Sequence, residues 1–145
     1  MHLKGGARLG LALAAALWAL PALADQKVAI QVNENDPQTM NIALNNAANI
    51  IGYYKEKGEE VAVEIVTYGP GLHMLRSDTS PVKARIEQMA LEGQPVSFRA
   101  CANTIAGMTQ KQGVAPVLVE EAQIVPSGAV YLMELQGQGY AYLKP

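Results

Sequence analysis

Residues 96–113 read VSFRACANTIAGMTQKQG, and this stretch decides the fold because a strand pattern passes into a helix pattern at Cys101. Its first five residues predict a short strand. After the cysteine, Ile105 and Met108 are three residues apart, which places both on the inward face of a helix that stops at Gly113. The sequence therefore predicts that Cys101 lies at a strand-to-helix junction.

Segments on both sides of this stretch repeat the alternation of strand and helix. Short apolar runs, several of them rich in β-branched residues, predict strands at residues 27–32, 60–67, 96–100 and 122–125, with an edge strand at 140–143. Residues 68–71 are predicted to be the exit loop of the second strand. Residues 114–121 are predicted to be a loop with at most one helical turn, because Pro116 argues against a regular element.

Two of the predicted helices begin with a capping residue followed by proline, Asp36-Pro37 and Ser80-Pro81, and each is closed by a glycine. A last helix opens at residues 126–128. The side chains predicted to face inward are Met40, Ala43, Leu44, Ala47, Ile50, Ile51 and Tyr54 on the first helix, Val82, Ile86, Met89 and Ala90 on the second, and Val130, Met133 and Leu135 on the last.

This order of elements predicts an α/β protein, a small three-layer fold with a mostly parallel sheet of about five strands flanked by helices. Ligands and chemistry collect at the carboxyl ends of the strands in such sheets. Four segments are predicted to converge on that rim of the sheet: residues 33–35, 68–73, 101–104 and 126–128.

The first residues of the chain have the features of a secretory signal peptide. Lys4 and Arg8 precede an uninterrupted apolar stretch, which is followed by a small-x-small triplet that ends at Ala24. The apolar stretch is shorter than the roughly 20 residues that a membrane helix needs. We therefore expect residues 1–24 to be removed after export to the periplasm, leaving residues 25–145 as a single domain.

Charge and size limit the classes of partner. The leader contains two cations and no anion, so its removal changes the formal net charge from −2 to −4. The mature chain has no clustered lysines and arginines of the kind that bind a phosphate backbone, so nucleic acid and anionic membranes are not expected partners. About 120 residues, near the commonest domain size, suffice for one core.

Cys101 is the one cysteine of the chain, so it cannot form an intrachain disulfide. It is a buried packing residue, a reactive thiol or half of an intermolecular bond. The backbone N–H groups of a helix N-terminus favour an anion, which lowers a thiol pKa from its free value of about 8.5. A thiolate is both a nucleophile and a sulfur acceptor, so Cys101 is the candidate catalytic residue.

Other candidate binding residues lie on the predicted rim. Asn103 and Thr104 offer donors and acceptors within the first turn of the helix, either to cap it or to hydrogen-bond a group on the sulfur. Asn33 follows the first strand at the same rim. His73 is the one histidine of the mature chain, and it either orients the thiol or is simply a polar loop residue.

No cofactor or metal site is predicted. The glycines at residues 69 and 71 match neither the dinucleotide fingerprint nor a P-loop, so we interpret them as turn residues. One cysteine and one histidine do not complete a zinc ligand set, which requires three or four side chains.

The segment Ser97-Phe98-Arg99-Ala100-Cys101-Ala102-Asn103-Thr104 with Gly107-Met108 resembles the cysteine segment of exported DsrE-like proteins. Residues 27–33 resemble the first strand of that family, and residues 125–128, 134–136, 139–142 and 144–145 resemble its terminal helix and strand. The resemblance implies a small α/β fold that assembles as homo- or hetero-oligomers, typically trimers or hexamers. In its sulfur-relay members a cysteine at this junction accepts sulfur as a persulfide, and Cys101 occupies the matching position.

Two functions from different classes follow. The first is a periplasmic sulfur-binding or sulfur-transfer protein, with at most a sulfurtransferase-like activity, which works with a donor or acceptor protein. The second is a non-catalytic oligomeric interaction or small-ligand-binding module in which Cys101 is structural. Two features limit the transfer from the family: the relay members work in the cytoplasm, and this chain has no second cysteine to resolve an intermediate.

Overall fold

The computed structural model describes residues 23–145, so the predicted leader lies outside the described residues except for its last two positions. Ten elements follow in order: β1 Gln26–Val32, α1 Pro37–Glu56, β2 Val61–Thr67, a 3₁₀ helix Gly69–Leu75, α2 Lys83–Leu91, β3 Val96–Cys101, α3 Ala102–Gln112, β4 Ala122–Val125, α4 Gly128–Gly137 and β5 Ala141–Leu143. No helix among residues 23–145 is long and apolar enough to span a bilayer.

The five strands form one sheet in the order β4-β3-β2-β1-β5, and every neighbouring pair is parallel. The predicted fold class is therefore confirmed. A parallel sheet needs a crossover between successive strands, and the helices supply these crossovers. As a result the carboxyl ends of all the strands lie along the same edge of the sheet.

The two faces of the sheet are covered unequally. One face packs against α1, α2, α3 and the 3₁₀ helix around a core that includes Ile30, Leu44, Ile65 and Phe98. The other face packs against α4, in a smaller cluster that consists of Ala29, Val66, Leu132 and Leu135 with Tyr68, Tyr131 and Tyr140 beside them. This smaller cluster is called the α4 cluster below.

A polar pair lies on the face that α4 covers. The carboxylate of Glu64 on β2 accepts two hydrogen bonds from the guanidinium of Arg99 on β3, at 2.6 and 3.0 Å. The guanidinium also lies 5.5 Å from the ring centroid of Tyr131 on α4. Both charged groups are largely withdrawn from water, and each is satisfied by the other.

The structure corrects the predicted inward face of α4. Leu135 is buried as predicted, but Val130 and Met133 are 51% and 71% exposed, and Leu132 is buried in their place. The prediction failed because apolar side chains occur on opposite sides of this helix, so a spacing of three residues did not distinguish the buried side. Ala90 was also wrongly placed: it is exposed on α2, and its small side chain is weak evidence for burial.

Two further predictions are corrected, one for a loop and one for the start of a helix. The predicted exit loop at residues 68–71 runs into the 3₁₀ helix, which carries His73. The second predicted helix starts two residues later than expected, because Ser80 uses its hydroxyl to donate to the Met74 carbonyl at 2.6 Å and to accept from Val82 N–H at 3.3 Å. The predicted cap thus closes a turn before α2.

Candidate functional site

The rim at the carboxyl ends of the strands is held together by short contacts between loops. The Tyr68 N–H donates to the Val32 carbonyl at 3.3 Å. Gly71 lies so close to β1 that a Cβ atom there would be 2.1 Å from the Val32 oxygen, which explains the glycine. The Gly69 N–H donates to the Thr104 hydroxyl oxygen at 2.8 Å. These contacts join the loop after β2 to the end of β1 and to the first turn of α3.

Cys101 is the last residue of β3 and the N-cap of α3, as the sequence predicts. Its extended backbone (φ −72°, ψ 118°) ends the strand and lets the next residue begin the helix. The residue is 4% exposed. The thiol is therefore a buried group at the rim, directly in front of the first turn of α3.

Polar groups from two helix starts lie near the Cys101 thiol, although its side chain makes no capping hydrogen bond. They are the backbone N–H groups of Asn103 and Thr104, the Thr104 hydroxyl, and the backbone N–H of Gly128 at the start of α4. Burial by itself raises the pKa of the Cys101 thiol, but these polar groups, led by the Gly128 N–H, outweigh burial and lower the pKa.

The Thr104 hydroxyl is oriented by the loop after β2. Its oxygen accepts the Gly69 N–H at 2.8 Å, and its hydroxyl lies near the Cys101 thiol, whose pKa it lowers. A hydroxyl has one hydrogen to donate, so with the Gly69 bond accepted that hydrogen is available for the sulfur. Thr104 is thus a first-turn residue of α3 whose hydroxyl is held beside the thiol.

The contribution of Gly128 was missed by the sequence analysis, which placed residues 126–128 on the rim but gave them no role. Gly128 follows the N-cap Ser127, whose hydroxyl accepts the Val130 N–H at 3.4 Å. The pairing of Cys101 with Val125 brings the start of α4 beside the thiol. Two helix N-termini therefore face one sulfur atom.

The remaining predicted site residues are distributed differently. The backbone N–H of Asn103 helps to lower the pKa of the Cys101 thiol, while its side chain is exposed. The imidazole of His73 hydrogen-bonds the Thr79 hydroxyl at 2.8 Å, and no hydrogen bond to Cys101 is found for it among the described residues. Asn33 is half-buried beside Gly71, and its side-chain oxygen has no hydrogen-bond partner among residues 23–145. Neither Asn33 nor His73 is among the groups that lower the pKa of the Cys101 thiol.

The described residues offer no metal-binding constellation. Across residues 23–145 no three histidine, cysteine, aspartate or glutamate side chains come together in a way that could hold an ion. The distinctive chemical group of this part of the chain is the buried Cys101 thiol, whose pKa is lowered by the polar groups around it.

Together, the sheet and the site define a class: small α/β proteins with an all-parallel sheet and a thiol at a strand-to-helix junction. The DsrE/DsrF-like family model matches residues 26–145, so the chain belongs to that family and the predicted resemblance is confirmed. Membership suggests a function related to sulfur relay.

A solved structure supports the same fold. The chain is similar to MTH1491, a protein of unknown function from Methanobacterium thermoautotrophicum, with 30% identity and a TM-score of 0.69. The alignment covers 83% of this chain and 100% of that one. No curated protein matches the chain.

Proposed function

We propose that the protein is a periplasmic sulfur-binding or sulfur-transfer protein in which Cys101 carries the sulfur. The observation that carries this proposal is the position of the Cys101 thiol, which lies at the start of α3 and beside the strand that leads into α4. Polar groups of these two helix starts lower the pKa of the thiol and so favour an anionic sulfur, which is the reactive form. Membership of the DsrE/DsrF-like family supports sulfur as the cargo.

The proposed step is an exchange between sulfur atoms. The Cys101 thiolate attacks the outer sulfur of a donor persulfide, R–S–SH, and a new S–S bond forms as the old one breaks. The donor leaves as R–S⁻ with the bonding electron pair, and Cys101 becomes Cys101–S–SH. Charge and atoms balance without an oxidant, so one cysteine is sufficient.

Export and partners are part of the proposal. The leader features around Ala24 support a periplasmic protein that begins at Asp25. Exposed apolar side chains on α4, Val130 and Met133, support assembly into homo-oligomers, for which a trimer is our first choice. Light scattering tests this assembly, and a monomer mass throughout the micromolar range would contradict it.

The second candidate function is an interaction module in which Cys101 is structural. The observation that favours it is the 4% exposure of the cysteine, because a donor protein must reach the sulfur. Alkylation of the native protein distinguishes the two functions. A thiol that reacts only after denaturation favours the interaction module.

The test of the leading proposal is the intact mass of protein isolated from its native compartment, before and after reduction. We expect a species one sulfur atom heavier than the chain that begins at Asp25, converted to the bare mass by reductant. The same preparation of Cys101→Ser is the control and must lack that species. If wild-type protein never carries the extra atom, Cys101 is not a stable sulfur carrier in that compartment.

A further inference from the structure

Two consecutive residues, Tyr68 and Gly69, contact both helix N-termini that face Cys101. They form the junction between β2 and the 3₁₀ helix, within the segment 68–73 that was predicted to lie on the rim. We propose that Tyr68 and Gly69 are positioning residues that hold the first turns of α3 and α4 against the Cys101 sulfur and so set its reactivity. This inference rests on the proposed function of Cys101, which it deepens.

Gly69 holds the first turn of α3. Its N–H donates to the Thr104 hydroxyl at 2.8 Å, which leaves the hydroxyl hydrogen for the sulfur. The backbone of Gly69 has φ +54°, in the left-handed region that favours glycine. A Cβ at this position would meet only the Asn33 carbonyl oxygen, at 3.9 Å. The glycine is therefore required by the backbone conformation that aims the N–H, rather than by lack of space.

Tyr68 holds the first turn of α4. A Cβ atom on Gly128 would lie 3.0 to 3.3 Å from three atoms of the Tyr68 side chain, so the helix start rests directly on that side chain. Gly128 follows three residues after Val125, which pairs with Cys101, so the start of α4 lies close to the thiol. The position of the Tyr68 ring therefore fixes how the start of α4 lies relative to Cys101.

Tyr68 is itself anchored by hydrogen bonds from neighbouring strands on the same face of the sheet. Its hydroxyl oxygen accepts the side-chain N–H of Gln31 on β1 at 2.6 Å. The side-chain oxygen of Gln31 in turn accepts from the Tyr142 hydroxyl on β5. Gln31 is buried, so this chain of hydrogen bonds fixes the hydroxyl end of the Tyr68 ring, while its other end lies against Gly128.

The test compares the labelling rate of Cys101 by iodoacetamide across a pH series in Tyr68→Leu and in a matched control, Tyr140→Leu. Tyr140 belongs to the same α4 cluster, but its ring lies beside Lys27, with the ammonium 5.8 Å from the ring centroid. We expect Tyr68→Leu to raise the pH at which labelling is half-maximal and to slow labelling at neutral pH by about tenfold, the effect of one lost charge-assisted hydrogen bond. Tyr140→Leu should label like wild type.

Two results would overturn the inference: a folded Tyr68→Leu protein with the wild-type labelling profile, or an equal change in Tyr140→Leu. If Tyr68→Leu does not fold, Gly69→Ala tests the other contact, because alanine disfavours the left-handed backbone and withdraws the N–H from Thr104. An unchanged profile in folded Gly69→Ala would also overturn it. Whether Cys101 carries sulfur is judged separately, by the intact mass of the wild type. A wild type without the extra sulfur atom would overturn the sulfur-carrier proposal but not the labelling comparison. An unchanged labelling profile would overturn the role of Tyr68 and Gly69 but not the sulfur-carrier proposal.

Discussion

Two helices begin at the same rim on the same plan, α1 at Asp36 and α3 at Cys101. Each cap residue has an extended backbone and is followed three positions later by a threonine, but only Asp36 caps its helix through hydrogen bonds to its side chain. For Asp36 the Thr39 N–H and hydroxyl lie 2.9 and 2.7 Å from the carboxylate. For Cys101 the equivalent residue is Thr104.

The difference between the two helix starts lies in what surrounds the cap. Asp36 is partly exposed, and every donor to it comes from α1. Cys101 is buried and makes no capping hydrogen bond, the start of a second helix at Gly128 lies near it, and its threonine is held by Gly69. Asp36 is explained as a helix cap. Capping does not explain the surroundings of Cys101, where the polar groups of two helix starts lower the pKa of the thiol.

The largest expected effect comes from Cys101→Ser. Labelling by thiol reagents and any sulfur loading should be lost completely, because the chain has no other cysteine. The fold should be retained, since serine is close in size and caps helices well. Circular dichroism and urea unfolding check the fold. A loss of stability of about 1 kcal/mol or more that does not vary with pH would instead indicate a cysteine that serves mainly to pack the core.

The second prediction concerns the two threonines. Thr104→Val should slow labelling of Cys101 at neutral pH by up to about tenfold, because the sulfur loses one donor. Thr104→Ser keeps the hydroxyl and should restore most of the rate. Thr39→Val, at the equivalent position of α1, is the matched control and should leave labelling unchanged. Equal rates in Thr104→Val and wild type would show that the hydroxyl does not act on the sulfur.

Much of the fold could be predicted because it depends on local pattern. Capping pairs such as Asp36-Pro37 and the β-branched runs located the elements to within a few residues. The position of Cys101 at the strand-to-helix junction followed in the same way. The donor from Gly128 could not be predicted, because it depends on the parallel pairing of Cys101 with Val125. The pair Glu64 and Arg99 depends on sheet register for the same reason.

The third prediction tests Asp36, whose side chain serves only to cap α1. Asp36→Ala should lower the melting temperature by a few degrees, because the orphan N–H groups at the start of α1 lose their acceptor. The labelling profile of Cys101 should not change, since the two helix starts use separate donors. Thermal unfolding and labelling of the same preparation check both statements. A slower labelling rate in Asp36→Ala would show that the rim acts as one coupled unit.

The smallest expected effect is a difference in how the two caps depend on pH. Asp36 has a pKa below its ordinary 3.8, mainly through the Thr39 hydroxyl, so its contribution to stability is lost only as pH falls through that lowered value. The pKa of Cys101 lies below its ordinary 9.0, so its contribution is complete above 9.0 and is lost as pH falls through the lowered folded value.

Urea unfolding of wild type, Asp36→Asn and Cys101→Ser over a pH series measures both contributions. The free energy of unfolding of wild type relative to Cys101→Ser should rise with pH until about 9, where the unfolded thiol also ionises. The free energy of unfolding of wild type relative to Asp36→Asn should change only below about pH 4, where the carboxylate of Asp36 takes up its proton. A Cys101 difference that stays flat up to pH 9 would mean that the folded thiol ionises like a free one, and that the donors of α3 and α4 do not stabilise its anion.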